Sequence, residues 1–450
     1  MRLLHTSDWH LGRRLHGADL TEAHAAWVDH LVEVVVGEHV DVVVVAGDVF
    51  DRAIPPVAAV RLWDEALQRL RAAGAAVVVS SGNHDSPARL GAHGALLAEL
   101  GVHVRCDPAR VAEPVVLHDT HGPVAFYPLP YLEPVTATSS LPDTVPGPAR
   151  SQAAVVGRAV SLATAHAAQV GHGRTVLLAH TWVAGVGGED RCDSEREIGV
   201  EPPVTGGSVP RVGGVDRVPT EPFRGTTYTA LGHLHGPRTL DEHLRYSGSP
   251  VAFSFSERNH RKGSWLVDIG PDGLERVERV EAPVHRGLAQ LRGTLEQLLG
   301  DPAHAVAEHR WVKAVLTDPA RPAEAMRRLQ DRFPHALALE WEPEGRAPEL
   351  PYAVRLAAAR TDTEVATGFV EHVRGTPATA AEATVLDAAF RAVRAAATGE
   401  PVAASAAPAA DELAALDDVD GLDGLDGLDA DLLAGATDVP PPPARGEGAA

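Results

Sequence analysis

Residues 41–46 read Asp-Val-Val-Val-Val-Ala. A β-branched run with no polar interruption has no face to offer to water, so it reads as a strand buried on both sides. Such a strand requires a sheet covered by helices. Similar short runs recur at 2–6, 76–79 and 175–180. Helical spacing fills the gaps between them. A helix is expected from about Leu20, with Ala26, Trp27, His30, Leu31 and Val34 three and four apart. Pro55-Pro56 permits a second start, Val60, Trp63, Leu67 and Leu70 supply its stripe, and Gly74 stops it. A third helix is expected to open at Pro87 and run through Leu100, and a fourth to span about 151–170. Shorter strands are expected at 102–104, 115–117, 124–127 and 264–269, with 128–149 irregular, a long Gly/Pro loop over 184–222 and a turn at 270–273. Strand-helix alternation to about residue 180, then mostly strands, points to a layered α/β or α/β/β sandwich.

Each run stops at a polar cluster. The stops are Asp8-Trp9-His10, Gly47-Asp48, Gly82-Asn83-His84-Asp85, His180 and Gly232-His233-Leu234-His235. In open α/β sheets, ligands gather beyond the carboxyl ends of the strands. Asp8, His10, Asp48, Asn83, His180, His233 and His235 are therefore candidate metal ligands. A set of imidazoles, carboxylates and one amide suits Mn, Fe or Zn and disfavours Ca or a thiolate-selected metal. A carboxylate can bridge two cations. With Asp48 as the bridge, Asp8, His10 and His235 would complete one position, and Asn83, His180 and His233 the other. Two cations about 3.5–4 Å apart clamp the attacking and leaving oxygens of a phosphoester and acidify a water between them. His84 is needed by neither set and is the candidate to protonate the leaving oxygen or to stabilise phosphate charge. Asp51 and Asp85 are candidates to orient ligand imidazoles from behind. His24, His30, His93, His166 and His172 read as surface or helix residues.

Together these motifs resemble the calcineurin-like metallophosphoesterase set. Two stretches narrow the likeness: Leu4-His5-Thr6-Ser7-Asp8-Trp9-His10-Leu11-Gly12, and Tyr246-Ser247-Gly248-Ser249-Pro250 with Phe253-Ser254-Phe255-Ser256-Glu257. They are similar to the family of nuclease subunits of the bacterial SbcCD complex. The likeness implies a four-layer α/β/β/α sandwich over 1–282, a smaller α+β capping domain over 283–345 and a C-terminal helical region over 346–398. In the second region, helix 288–299, strand 311–316, helix 323–332 and strand 336–340 are expected. The likeness also implies two Mn²⁺ ions, a double-strand 3′–5′ exonuclease and a single-strand and hairpin endonuclease acting in DNA end processing, recombination and repair. An SbcC-type coiled-coil ATPase and a homodimer within a heterotetramer are further implications; the homodimer would form through helices at about 20–36 and 56–73. The chain has no Gly-x-x-x-x-Gly-Lys-Ser/Thr loop, so no nucleotide site of that kind is expected in it. Two helices near 361–397 carry Val365, Phe369, Val373, Leu386, Phe390 and Val393 on one stripe. They would dock on the partner's coiled coil or pack on the cap; a stripe says buried, not against what.

Composition bounds the partners. The net charge of −21 is unusual for a protein that touches nucleic acid, but from Glu400 onward twelve acidic residues stand against one Arg. That segment, 399–450, has Gly-Leu-Asp three times and reads as a disordered acidic tail. Arg13, Arg14, Arg52, Arg89, Arg258, Arg261 and Lys262 lie close in sequence to the clusters and are the candidate DNA contacts. Without a recognition helix or stacking motif, they suggest phosphate contact rather than base readout. Cys106 and Cys192 form neither a disulfide framework nor a zinc finger. No secretory h-region and no membrane-length apolar run stand out, so a cytoplasmic location is the expectation. A small-substrate phosphodiesterase or protein phosphatase would share the same metal chemistry. A non-catalytic DNA-end scaffold would be expected to have lost ligands or His84, and all are present.

Overall fold

The computed structural model describes residues 1–141, 151–183, 217–343, 361–374 and 377–398. The 399–450 tail, the 346–360 stretch and most of the 184–222 loop lie outside these. Two compact units divide at residues 344 and 345.

In the first unit the leading elements are β1 (Arg2–Thr6), a small hairpin of β2 (Arg14–Leu15) and β3 (Ala18–Asp19), α1 (Thr21–Gly37), β4 (Val42–Ala46), α2 (Val57–Ala72) and β5 (Ala76–Ser80). The next are α3 (Pro87–Leu90), α4 (Gly94–Glu99), β6 (Val102–Arg105), β7 (Val115–Asp119), β8 (Gly122–Pro128), α5 (Pro134–Ser140), α6 (Gln152–Val170) and β9 (Thr175–His180). After them come β10 (Tyr228–Gly232), β11 (Arg238–Asp241), β12 (Leu244–Tyr246), β13 (Gly263–Gly270) and β14 (Gly273–Glu281).

Two six-stranded sheets result, ordered β14-β13-β1-β4-β5-β6 and β11-β12-β10-β9-β8-β7. In each, four strands run parallel: β1, β4, β5 and β6 in the first, β12, β10, β9 and β8 in the second. The remaining strands pair antiparallel. Successive side chains of a strand alternate faces, and β4 shows why its run is apolar throughout. Val42, Val44 and Ala46 pack between the sheets with Phe126, Val176, Leu178 and Tyr228. Val43 and Val45 face Trp27, Leu31, Trp63 and Leu70 of α1 and α2. The far side of the second sheet packs Tyr127, Leu177 and Ala179 against α6 through Val155, Val156 and Val160. The layers are therefore α/β/β/α, as the resemblance implied.

Three expectations need correction. The helix read from Pro87 to Leu100 is two short helices, because His93 sits at φ 60°, a left-handed backbone that ends one turn before the next begins. The irregular 128–149 stretch includes α5. The helix read at 288–299 is a strand, β15 (Leu288–Gly293), followed by a short helix α7 (Leu295–Gly300). Thr294 starts that helix with a reciprocal capping box to Gln297, and β15 pairs in parallel with β16 (Trp311–Leu316). With α8 (Ala325–Arg332) and β17 (Ala336–Trp341), these elements make a small three-stranded parallel sheet, order β15-β16-β17, with its own core around Leu298, Val312, Leu329 and Phe333. Leu15, Leu20, Phe253, Phe255, Leu288 and Trp311 join this sheet to the larger body. Strand β14 has no counterpart among the expected elements.

The second unit contributes α9 (Asp362–Arg374) and α10 (Ala380–Thr398). Thr363 Oγ1 donates to Asp387 Oδ1 at 3.2 Å and Arg374 pairs with Glu382, so the two helices hold each other. Phe369 and Val393 are exposed.

Candidate metal centre

All seven candidate ligands sit just past the carboxyl ends of five parallel strands, three from one sheet and two from the other. The loop after β1 continues its pairing with the loop after β4: Asp8 N donates to Gly47 O, His10 N to Asp48 O and Leu11 N to Val49 O, at 2.9–3.0 Å. The sheets touch at their ends. A Cβ on Gly47 would stand 2.3 Å from His180 Nδ1, and one on Gly232 only 1.9 Å from the carbonyl of Ala46. Only glycine permits that approach. Asp8, His10, Asp48 and His233 all hold positive φ, at 53°, 43°, 51° and 100°. Such backbones are sparsely populated for these residue types and persist where the surroundings over-determine them.

The donors converge as two groups sharing Asp48. Its Oδ2 lies 3.2 Å from His180 Nε2 and 3.5 Å from His10 Nε2. On one side, His10 Nε2 meets His235 Nε2 at 3.2 Å, and Asp8, His10 and His235 fall within common reach of a single ion. On the other, Asn83 Oδ1 is 3.0 Å from His180 Nε2 and 3.2 Å from His233 Nδ1. Asp8, Asp48 and His180 also share one ligand radius, as do His10, Asp48 and His84. Asp8 is held by the His233 amide at 3.0 Å and by the Ser7 hydroxyl.

The chemistry of these donors fits cations. His180 Nδ1 is 2.9 Å from the Ala46 carbonyl, which must receive its proton. That leaves the Nε2 lone pair facing a carboxylate and an amide oxygen, three acceptors with no donor among them. A positive charge resolves the conflict. With protons alone, burial opposes the charged imidazole, but the facing Asp48 carboxylate outweighs it and lifts the His180 pKa to about 9. Burial likewise works against ionised Asp48, yet His180 and His10 hold its carboxyl well below the usual range. Asp8 is raised to about 6, chiefly by burial.

His84 stands at the rim, half-buried. Its amide donates to Asp48 Oδ1 at 2.9 Å, and its Nδ1 lies 2.6 Å from the Asp51 carbonyl. Its Nε2 has no hydrogen-bond partner among the described residues. Asp51 Oδ1 is 3.8 Å from His10 Nδ1 and 3.3 Å from Arg13 Nη1. Asp85 does not orient an imidazole. Its carboxylate accepts from the amides of Val49, Phe50 and Gly82 at 2.9–3.1 Å, tying the loops after β4 and β5 together.

The basic candidates divide. Lys262 is not a DNA contact: it is buried, and its ammonium donates to the His235 carbonyl at 2.9 Å and Ser249 Oγ at 2.8 Å and pairs with Glu257. Arg13 is also buried, against Asp51 and over the Phe253 ring. Arg14, Arg52, Arg89, Arg258 and Arg261 are exposed, Arg261 paired with Glu281. Sequence reasoning assigned no role to Glu257. It stands in the Phe-Ser-Phe-Ser-Glu stretch, where a carboxylate among buried phenyl rings was the available signal.

This fold and donor set define a calcineurin-like phosphoesterase, and residues 1–131 match that family's model. The chain is also 30% identical to SbcD, the smaller-lettered partner in the name of the SbcCD nuclease, from Escherichia coli (strain K12), over 66% of this chain and 72% of that protein. With the SbcD protein of Bacillus subtilis (strain 168) it shares 34% identity over 60% and 67% of the two chains, and with that of Rhodobacter capsulatus 33% over 63% and 70%. The chain belongs to the SbcD family of nuclease subunits. It is a metal-dependent nuclease, a hydrolase of phosphodiester bonds that uses divalent cations. Among the described residues no helix is long and apolar enough to cross a membrane.

Proposed function

We propose that this chain cleaves DNA at ends and hairpins, as a double-strand 3′–5′ exonuclease and single-strand endonuclease, with two Mn²⁺ ions held by Asp8, His10, Asp48 and His235 on one side and by Asp48, Asn83, His180 and His233 on the other. The observation that carries this reading is Asp48 Oδ2 standing between His10 and His180, with one donor group on each flank. Bound there, the cations would supply Lewis-acid polarisation of the phosphoryl group and an acidified water as nucleophile.

The chain's own residues do the rest. Asp8 and Asp48 neutralise positive charge, and their buried setting keeps that interaction strong. His84 donates its Nδ1–H to the Asp51 carbonyl, which fixes the ring and leaves Nε2 to carry a proton toward the leaving oxygen. Exposed Arg14, Arg52, Arg89 and Arg258 around the rim provide charge for backbone phosphates, independent of sequence. The small 288–341 sheet acts as a cap, and the exposed Phe369 and Val393 face of the 362–398 helices docks on an SbcC-type coiled-coil ATPase. Ile54, Val57, Val60 and Leu96, exposed on and near α2 and α4, suit a homodimer interface within the heterotetramer.

The test is incubation with Mn²⁺ and either blunt duplex or hairpin DNA, alone and with the ATPase partner. Cleavage of both substrates, stimulated by the partner, is expected. Hydrolysis of small phosphodiesters only would replace this reading with a small-substrate phosphodiesterase.

A further inference from the structure

The carboxylate of Glu257 lies behind the centre. It ends the short turn Phe255–Glu257 and is 1% exposed. Oε1 accepts from the Phe253 amide and the Ser254 hydroxyl, each at 3.2 Å, and faces His235 Nδ1 at 3.7 Å. Oε2 pairs with Lys262, whose ammonium also donates to the His235 carbonyl at 2.9 Å. The ion pair thus holds His235 twice, the ring through the carboxylate and the main chain through the ammonium. Buried ion pairs are seldom worth more to stability than apolar side chains of the same volume. Stability is therefore a weak reason for this one, and its place beside one ring is a better reason.

A neutral imidazole carries one N–H and one lone pair. A carboxylate facing Nδ1 favours the proton there, since the other tautomer would set lone pair against anion. The lone pair then falls on Nε2, the nitrogen that meets His10 Nε2 at 3.2 Å. The Phe253 ring stands edge-on to both imidazoles, 5.2 Å from His10 and 5.4 Å from His235, and offers neither an alternative polar partner.

We propose that Glu257 is a positioning residue: backed by Lys262, it holds His235 as the Nδ1–H tautomer and so presents Nε2 to the cation shared with Asp8 and His10. This rests on the two-cation reading above. It adds that one of the two positions depends on a carboxylate that touches neither metal nor substrate.

The test uses the full chain and two variants, E257Q and the double variant E257L/K262M, which replaces the pair with apolar side chains of similar volume. Long-range ¹H–¹⁵N correlation on the metal-free protein reads the His235 tautomer. Titration calorimetry with Mn²⁺ reads the two affinities. In the parent, Nδ1 of His235 is expected to carry the proton. In E257L/K262M the tautomer should shift toward Nε2–H, and one Mn²⁺ affinity should fall about 10–100-fold while the other is unchanged. E257Q, which retains an oxygen acceptor, should lie between and guards against a double variant that does not fold. Folded variants with parent affinities and an unchanged tautomer would overturn the proposal, as would an equal loss at both positions. A parent that binds a single Mn²⁺ would overturn the two-cation reading instead, and the metal-free tautomer would still decide the role of Glu257.

Discussion

At the residue scale, Asp48 and His84 are separable although they touch. Asp48 offers Oδ2 to the donors on both flanks and Oδ1 to the His84 amide. Asp48→Ala should therefore lose both cations, read as Mn content after gel filtration; a variant that keeps two per chain would refute the bridge. His84→Ala should keep both cations and lose about 10²–10⁴-fold in cleavage rate, the usual worth of a positioned proton donor. Unchanged cleavage would remove His84 from the chemistry. All seven donors were legible in the sequence because each follows a strand, and strands announce themselves by composition. What holds the donors was not. The Ala46 carbonyl that fixes His180 has no sequence signature. Glu257 meets an imidazole 22 positions earlier only once two loops fold together. Lys262 looked like a DNA contact for the same reason, since adjacency in sequence says nothing about which way an ammonium turns.

At the element scale, the central strands were readable and some flanking ones were not. Runs such as Thr175–His180 are apolar on both faces, and no helix of that length would bury itself so. The failures share a cause. Leu288, Leu291, Leu295 and Leu298 recur at three and four, which mimics a helix, yet a capping box at Thr294 divides strand from helix. In β14, Leu274, Val277 and Val280 also recur at three. Its pairing with β13 fixes it as a charged edge strand, where alternation is weakest. The inter-sheet layer carries a direct prediction. Leu178 is fully buried there on β9, two residues before His180. Leu178→Ala should cost about 2–5 kcal/mol, measured by denaturant unfolding, with Mn²⁺ binding retained. A loss below about 1 kcal/mol would mean that the layer repacks freely.

For the molecule as a whole, the two sheets are also fastened at the end away from the centre. Arg174 makes a double contact with Asp119 at 2.8 Å and reaches the carbonyls of Gly122 and Gly270, the last in the opposite sheet. Beside that guanidinium the Asp119 carboxyl is held well below the usual carboxylate range. A depressed folded pKa adds stability above the unfolded value of about 4 and loses it as pH falls toward the folded one. Asp119→Asn should thus lower stability by about 1–2 kcal/mol at pH 7. The gap to the parent should close below about pH 4. A gap independent of pH would point to packing instead of charge. The far end of the sandwich bears an opposite load. Asp8, His10, Asp48 and His233 keep twisted main chains there, each unfavourable by about 1–3 kcal/mol and supported by the sheets beneath. A glycine at any of them would relax the chain and remove a donor in the same step. Selection of random variants for heat resistance alone should accordingly enrich glycine at these four codons, yielding hardier and inert enzymes.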